Sequence, residues 1–120
     1  MKNNLTIVGS GLTGPLLSII LARQCNLNIN VFERSDDPRK SNNFLGRSIN
    51  LALSKRGIKA LKFAGVYDND FESLLIPMNG RTIHSEGGEV TFQAYGNKKN
   101  HYINSVSRSA INKILMDNAE

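Results

Sequence analysis

The sequence Gly9-Ser10-Gly11-Leu12-Thr13-Gly14 stands between a β-branched apolar run, Leu5-Thr6-Ile7-Val8, and a stretch whose apolar residues Leu16, Leu17, Ile20 and Leu21 fall at helical spacing. A glycine link in that place is the dinucleotide fingerprint, and each glycine has a physical task. Gly9 permits a tight turn, Gly11 lets the backbone approach a pyrophosphate, and Gly14 lets helix and strand pack closely. The helix N-terminus then receives the phosphate charge. Ile29, Val31 and Phe32 mark a second strand ending at Glu33, 19 residues after Gly14. A carboxylate there can bind both hydroxyls of an adenosine ribose. The first 33 residues thus read as a Rossmann-like βαβ unit with Leu5–Val8 as a buried parallel strand. Pro15 departs from the usual pattern, but with a helix beginning near Leu12 it falls in the first turn, where a missing N–H costs little.

Composition narrows the setting. At 120 residues, 40% apolar and 21% charged, the chain has room for one packed domain and not two. Cys25 is the single cysteine, so neither a disulfide framework nor a multi-cysteine zinc site is available, which fits a reducing, cytoplasmic setting. The apolar stretch Leu16–Ala22 is far short of the ~18 residues of a membrane span, and the N-terminus lacks the marks of a signal peptide. The net charge of +5 concentrates between Arg34 and Lys62, where eight basic residues face only Asp36 and Asp37. Phe44 is the one aromatic residue of that segment after Arg34, which argues against a stacking surface for single strands; no nucleic-acid partner is expected, and a phosphate-bearing small molecule explains the charge as well.

Further along, residues 35–43 read as a loop and residues 49–53 as a short extended piece. Ser54 is a candidate cap for a helix from Lys55 to Ala64, stopped by Gly65. Residues 68–75 suggest a second short helix, with Asp68, Asp70 and Glu72 as its solvated start. Residues 81–84 and 90–94 flank the turn sequence Glu86-Gly87-Gly88-Glu89, as in a β-hairpin. Residues 102–106 read as one more strand, and residues 107–119 as a helix capped by Ser107 or Ser109. His84 and His101 have no metal-ligand spacing, so no metal site is expected.

The fingerprint alone does not separate FAD from NAD. The run Gly46-Arg47-Ser48-Ile49-Asn50-Leu51-Ala52-Leu53-Ser54, followed by Arg56-Gly57, is more distinctive than the glycine motif. With Ile76-Pro77-Met78, Arg81, Ile83-His84-Ser85, Tyr95-Gly96 and Tyr102-Ile103 leading to Ser105-Val106-Ser107-Arg108, it resembles the kynurenine 3-monooxygenase family over nearly the whole chain. These are single-component flavin-dependent aromatic hydroxylases. The resemblance implies FAD as cofactor, NADPH as the co-substrate that reduces it, dioxygen as the oxygen source, and L-kynurenine hydroxylated at its 3 position. It places the FAD contacts at the glycine loop with Thr13, at Phe32-Glu33-Arg34-Ser35, at Ala52 and at Arg108. Arg47 and Arg108 suit a pyrophosphate or the ribityl path. It places the substrate carboxylate at Arg81 and Tyr95, a forked guanidinium and one hydroxyl, and names no catalytic residue here.

The expected architecture is therefore α/β: a Rossmann-like βαβ FAD-binding unit with an added hairpin and strand layer, the strands of residues 76–106 serving the substrate site. A later Gly-Asp motif for the ribityl chain, a third parallel strand and a substrate sheet are missing, so the chain reads as the N-terminal part of a larger two-domain fold. The alternatives are a flavin hydroxylase of another aromatic acid, which need not keep Arg81 with Tyr95, and a non-catalytic nucleotide-binding fragment. Self-association stays open.

Overall fold

The computed structural model describes residues 2–40 and 49–120. Strand β1 (Asn3–Val8) leads through the glycine loop into helix α1 (Thr13–Gln24) and returns as β2 (Leu27–Phe32). The two strands pair in parallel, Leu5 beside Ile29 and Ile7 beside Val31. Pro15 is the third residue of α1 and lies in its first turn, as its missing N–H requires.

One expectation about this unit needs correction. Leu5–Val8 is not buried on both sides: Leu5 and Ile7 are half-buried, whereas Asn4 and Thr6 are open and Val8 is 86% exposed. The two-stranded sheet is covered on one face only, so its strands alternate. On α1, Gly14, Pro15, Ser18 and Ile19 are the buried residues, Leu16 and Ile20 pack half-buried against the core as the helical spacing suggests, and Leu17 alone of the four spaced apolar residues is exposed, at 41%. Apolar side chains run nearly all round this helix, so the face is chosen by close approach: a Cβ on Gly14 would collide with the Gly9 carbonyl.

The next layer is a three-stranded antiparallel sheet, β3 (Asn50–Leu53), β7 (Ile103–Ser107) and β4 (Ile76–Met78), with β7 in the middle. Strand β4 carries Pro77 and was not expected from the sequence pattern; it lies at the sheet edge, where a missing donor is tolerated. Helix α2 (Lys55–Phe63) starts after Ser54, whose backbone is extended but whose side chain makes no capping bond. It ends as expected at Gly65, φ +66°, where Gly65 N–H donates to Lys62 O and Val66 N–H to Leu61 O, the Schellman pattern. Helix α3 (Asn69–Ser73) is shorter than expected, and Asp68 caps it by accepting from Phe71 N–H at 2.8 Å. Helix α4 (Arg108–Ala119) is capped by Ser107, which accepts from Ala110 N–H.

The core joins these pieces. Ile19 of α1, Leu61 of α2, Val66, Phe71 of α3, Val106 of β7, and Ile111 and Leu115 of α4 are all buried together. Helix α4 packs along α1 and so reaches the glycine loop from behind. The hairpin β5 (Gly80–His84) and β6 (Val90–Ala94) forms its own sheet, closed by Ser85–Glu89 with Gly88 at φ +84°. Its residues from Arg81 to Ala94 are all exposed. No helix is long and apolar enough to cross a membrane among the described residues.

Candidate functional site

The glycine loop and the end of β2 meet at one point. Gly9, at φ +104°, donates its N–H to Phe32 O at 2.7 Å, joining the loop to the last residue of β2. Beyond Phe32, the exposed Glu33 carboxylate accepts from Ser10 N–H at 2.7 Å through Oε2 and from Ser35 N–H at 2.9 Å through Oε1. Those backbone donors, Ser10 foremost, hold its carboxyl below the usual carboxylate range. Each oxygen retains a second lone-pair direction, which is what a ribose diol needs. Among the described residues nothing lies within 4 Å of where a Cβ on Gly11 would point, so they leave the loop backbone open on that side. Helix α1 starts at Thr13 without a capping side chain and without an acidic residue in its first turn, which leaves its first N–H groups for an anion.

Beside Glu33 runs a groove of about 340 Å³ between β2 and the C-terminal end of α4, with Ile29, Val31, Pro15 and Met116 among its apolar walls. Its walls are partly apolar and partly polar. One side is closed by a charged cluster that sequence reasoning missed. Arg39 donates through Nε and Nη2 to Asp37, through Nη1 to Asp117 at 3.1 Å, and through both Nη atoms to Glu120 at 3.0 and 2.7 Å. The guanidinium holds Asp37 down to about 2 and lowers Glu120 as well. Arg39 is therefore neutralised by Asp37 of its own segment together with Asp117 of α4 and Glu120 just after it, so it adds little to the local positive charge.

The structure brings Gly9, Gly11, Gly14, Phe32, Glu33 and Ser35 together with the start of α1, where Thr13 is exposed. Arg34 is exposed next to them. Ala52 lies on the exposed side of β3 opposite Ser105, and Arg108 opens α4 with its N–H donated to Ile49 O. Among the described residues no carboxylate pairs with Arg108, which leaves its charge available. Arg47 lies outside the described residues.

Arg81 and Tyr95 sit apart from the glycine loop, on the hairpin. Arg81 pairs with Gln93 in register, and its Nε donates to Gln93 Oε1 at 2.7 Å. Tyr95 follows two residues after Gln93 and continues the ladder, its N–H donating to Asn79 O at 2.9 Å. The period of two puts Arg81, Gln93 and Tyr95 on one face of the hairpin. Among the described residues the two Nη groups of Arg81 meet no acceptor, so the fork is free for a carboxylate. The contribution of Gln93 was not read from the sequence, because only the pairing register shows it.

Comparison with known proteins gives these positions a context. The kynurenine 3-monooxygenase of Cytophaga hutchinsonii is 48% identical over 121 residues, covering 100% of this chain and 26% of that protein. The chain thus spans about a quarter of the length of the curated relatives it matches. No family model matches it. Among solved structures, the tetrameric form of 2-methyl-3-hydroxypyridine-5-carboxylic acid oxygenase superimposes with a TM-score of 0.71 at 17% identity, covering 98% of this chain and 29% of that one. A structure from Photorhabdus luminescens, provisionally described as an FAD-containing monooxygenase, gives 0.69 at 19% identity, covering 95% of this chain and 28% of that one. The mixed α/β fold of this chain is therefore one found in oxygenases.

Proposed function

Because the chain is related along its whole length to the kynurenine 3-monooxygenases, we propose that it forms the N-terminal FAD-binding part of an NADPH-dependent monooxygenase that converts L-kynurenine to 3-hydroxykynurenine. The observation that carries this reading is the junction of loop and strand: Glu33 bonded to Ser10 N–H, beside an uncapped helix start and an apolar groove. An adenosine fits that arrangement, with its ribose on Glu33, its base in the groove and the pyrophosphate at the start of α1. When bound, FAD supplies the means to activate dioxygen with electrons from NADPH.

The chain's own residues bind and orient. The glycine loop with Thr13 and the run Phe32-Glu33-Arg34-Ser35 hold the ADP end. Arg108 and Arg47 supply positive charge along the cofactor, and Ala52 offers a side chain small enough for close approach. Glu33 would repel a 2′-phosphate, so the fingerprint takes FAD and NADPH docks elsewhere. The hairpin within residues 76–106 carries Arg81 and Tyr95 toward the substrate carboxylate, with Gln93 fixing the Arg81 fork. An exposed, unpaired Cys25 accords with a reducing cytoplasm.

The test is to purify the full-length enzyme, record its flavin spectrum, and assay 3-hydroxykynurenine with NADPH, dioxygen and kynurenine. Bound FAD and kynurenine hydroxylation are expected. FAD with turnover only on another aromatic acid would overturn the substrate assignment, and a flavin-free protein would overturn the cofactor.

A further inference from the structure

On the side of α4 facing the glycine loop, the amide of Asn112 lies against two successive backbone carbonyls. With its nitrogen toward the loop, Nδ2 donates to Gly11 O at 2.8 Å and to Ser10 O at 3.2 Å. The opposite orientation would press Oδ1 against both carbonyl oxygens and leave the nitrogen a 3.6 Å contact with the Met116 sulfur, so the first is the one that satisfies the amide.

A planar trans peptide points its C=O and N–H in opposite directions. The Ser10 carbonyl shares its plane with Gly11 N–H, and the Gly11 carbonyl shares its plane with Leu12 N–H. Holding both carbonyls toward α4 therefore turns these two N–H groups away from it, where they join the uncapped start of α1. Such a restraint matters here because Gly11 has no side chain, meets no neighbour on its Cβ side among the described residues, and has the widest backbone freedom of any residue type.

We propose that Asn112 is a positioning residue for the pyrophosphate: it acts through the two peptide planes, presetting the N–H groups of Gly11 and Leu12 as anion donors. This rests on reading the loop as the pyrophosphate site of FAD. Without Asn112 the ligand must itself order the loop, and affinity for phosphate-bearing ligands falls while affinity for a bare nucleoside does not.

The experiment uses full-length apoenzyme, measuring the dissociation constant of FAD and the inhibition constants of ADP and adenosine against FAD rebinding. Asn112→Ala is expected to weaken FAD and ADP about 10-fold, the effect of roughly one to two hydrogen bonds. Asn112→Asp keeps the size but faces both carbonyls and the phosphates with negative charge, and should weaken them further. Adenosine should stay within about twofold in both variants. Equal losses for adenosine and ADP would overturn the proposal, because Asn112 would then act on the fold at large. ADP affinity unchanged in both variants would also overturn it. Glu33→Ala separates the two levels: if it weakens all three ligands while the Asn112 variants weaken none, the cofactor reading stands and only the role of Asn112 falls; if no variant changes any affinity, both fall.

Discussion

Arg81 spends one donor, Nε, on Gln93, and among the described residues its Nη pair meets no acceptor. In the full-length enzyme, Arg81→Ala should raise the kynurenine dissociation constant about 30- to 150-fold, the loss of a charged hydrogen bond of roughly 2–3 kcal/mol. A substrate titration of the holoenzyme reads this, with FAD content unchanged; loss of FAD with normal kynurenine binding would move Arg81 to the cofactor site. Glu33 makes a second prediction. Its carboxyl is held below the ordinary range by the Ser10 and Ser35 N–H groups, so its contribution is complete above the unfolded carboxylate value and drains only as pH falls through the lowered one. Glu33→Gln should therefore weaken FAD by the same factor at pH 7 and at pH 5. A gap that closes by pH 5 would show Glu33 taking up a proton too early for this geometry. Asp37 follows the same sign, its share lost only as pH approaches about 2.

Two glycines do different work at the level of elements. Gly14 is where α1 meets the loop, and Gly14→Ala would drive a Cβ into the Gly9 carbonyl, forcing helix and strand apart. The purified full-length variant should carry markedly less flavin per protein by absorbance. Gly65 closes α2 at φ +66°, far from the loop in sequence, and Gly65→Ala should cost about 1–2 kcal/mol in denaturant unfolding with FAD content intact. Both positions were readable from the sequence, because a fingerprint glycine and a helix-stop glycine have fixed offsets from their elements. The βαβ order, the Glu86–Glu89 turn and the Ser107 cap were readable for the same reason. What local pattern does not encode is tertiary choice. The tightest-packed positions of α1, Gly14, Pro15, Ser18 and Ile19, do not stand out because leucines and isoleucines surround that helix, and β4 was missed because Pro77 argues against a strand until the edge position is known. The distant partners of Arg39 lie 78 and 81 residues away, on α4 and at its C-terminal cap, and Asn112 looks like any polar residue of an amphipathic helix until α4 is packed behind the loop.

At the scale of the whole molecule, the chain extends over 64 × 33 × 24 Å with a radius of gyration of 17.8 Å, against about 14 Å for a compact domain of this length. The excess comes with open apolar surface: Phe92 and Val90 of the hairpin and Val8 and Phe32 at the ends of β1 and β2 are each more than 60% exposed. Surface of that kind is normally covered. Hydroxylation requires a closed, water-poor site, so these 120 residues expressed alone should form no 3-hydroxykynurenine from FAD, NADPH and kynurenine, whereas the full-length protein is expected to form it. Turnover by the short chain would contradict the division of labour proposed above. The central claim is narrower: that the glycine loop and Glu33 hold the ADP end of FAD. The most direct measurement is a titration of FAD into full-length apoenzyme, wild type and Glu33→Ala, with and without competing ADP. ADP should compete with FAD, and Glu33→Ala should weaken both ligands by the same factor, corresponding to about 1–3 kcal/mol. FAD binding untouched by ADP, or a Glu33→Ala variant with wild-type affinity for both, would contradict it.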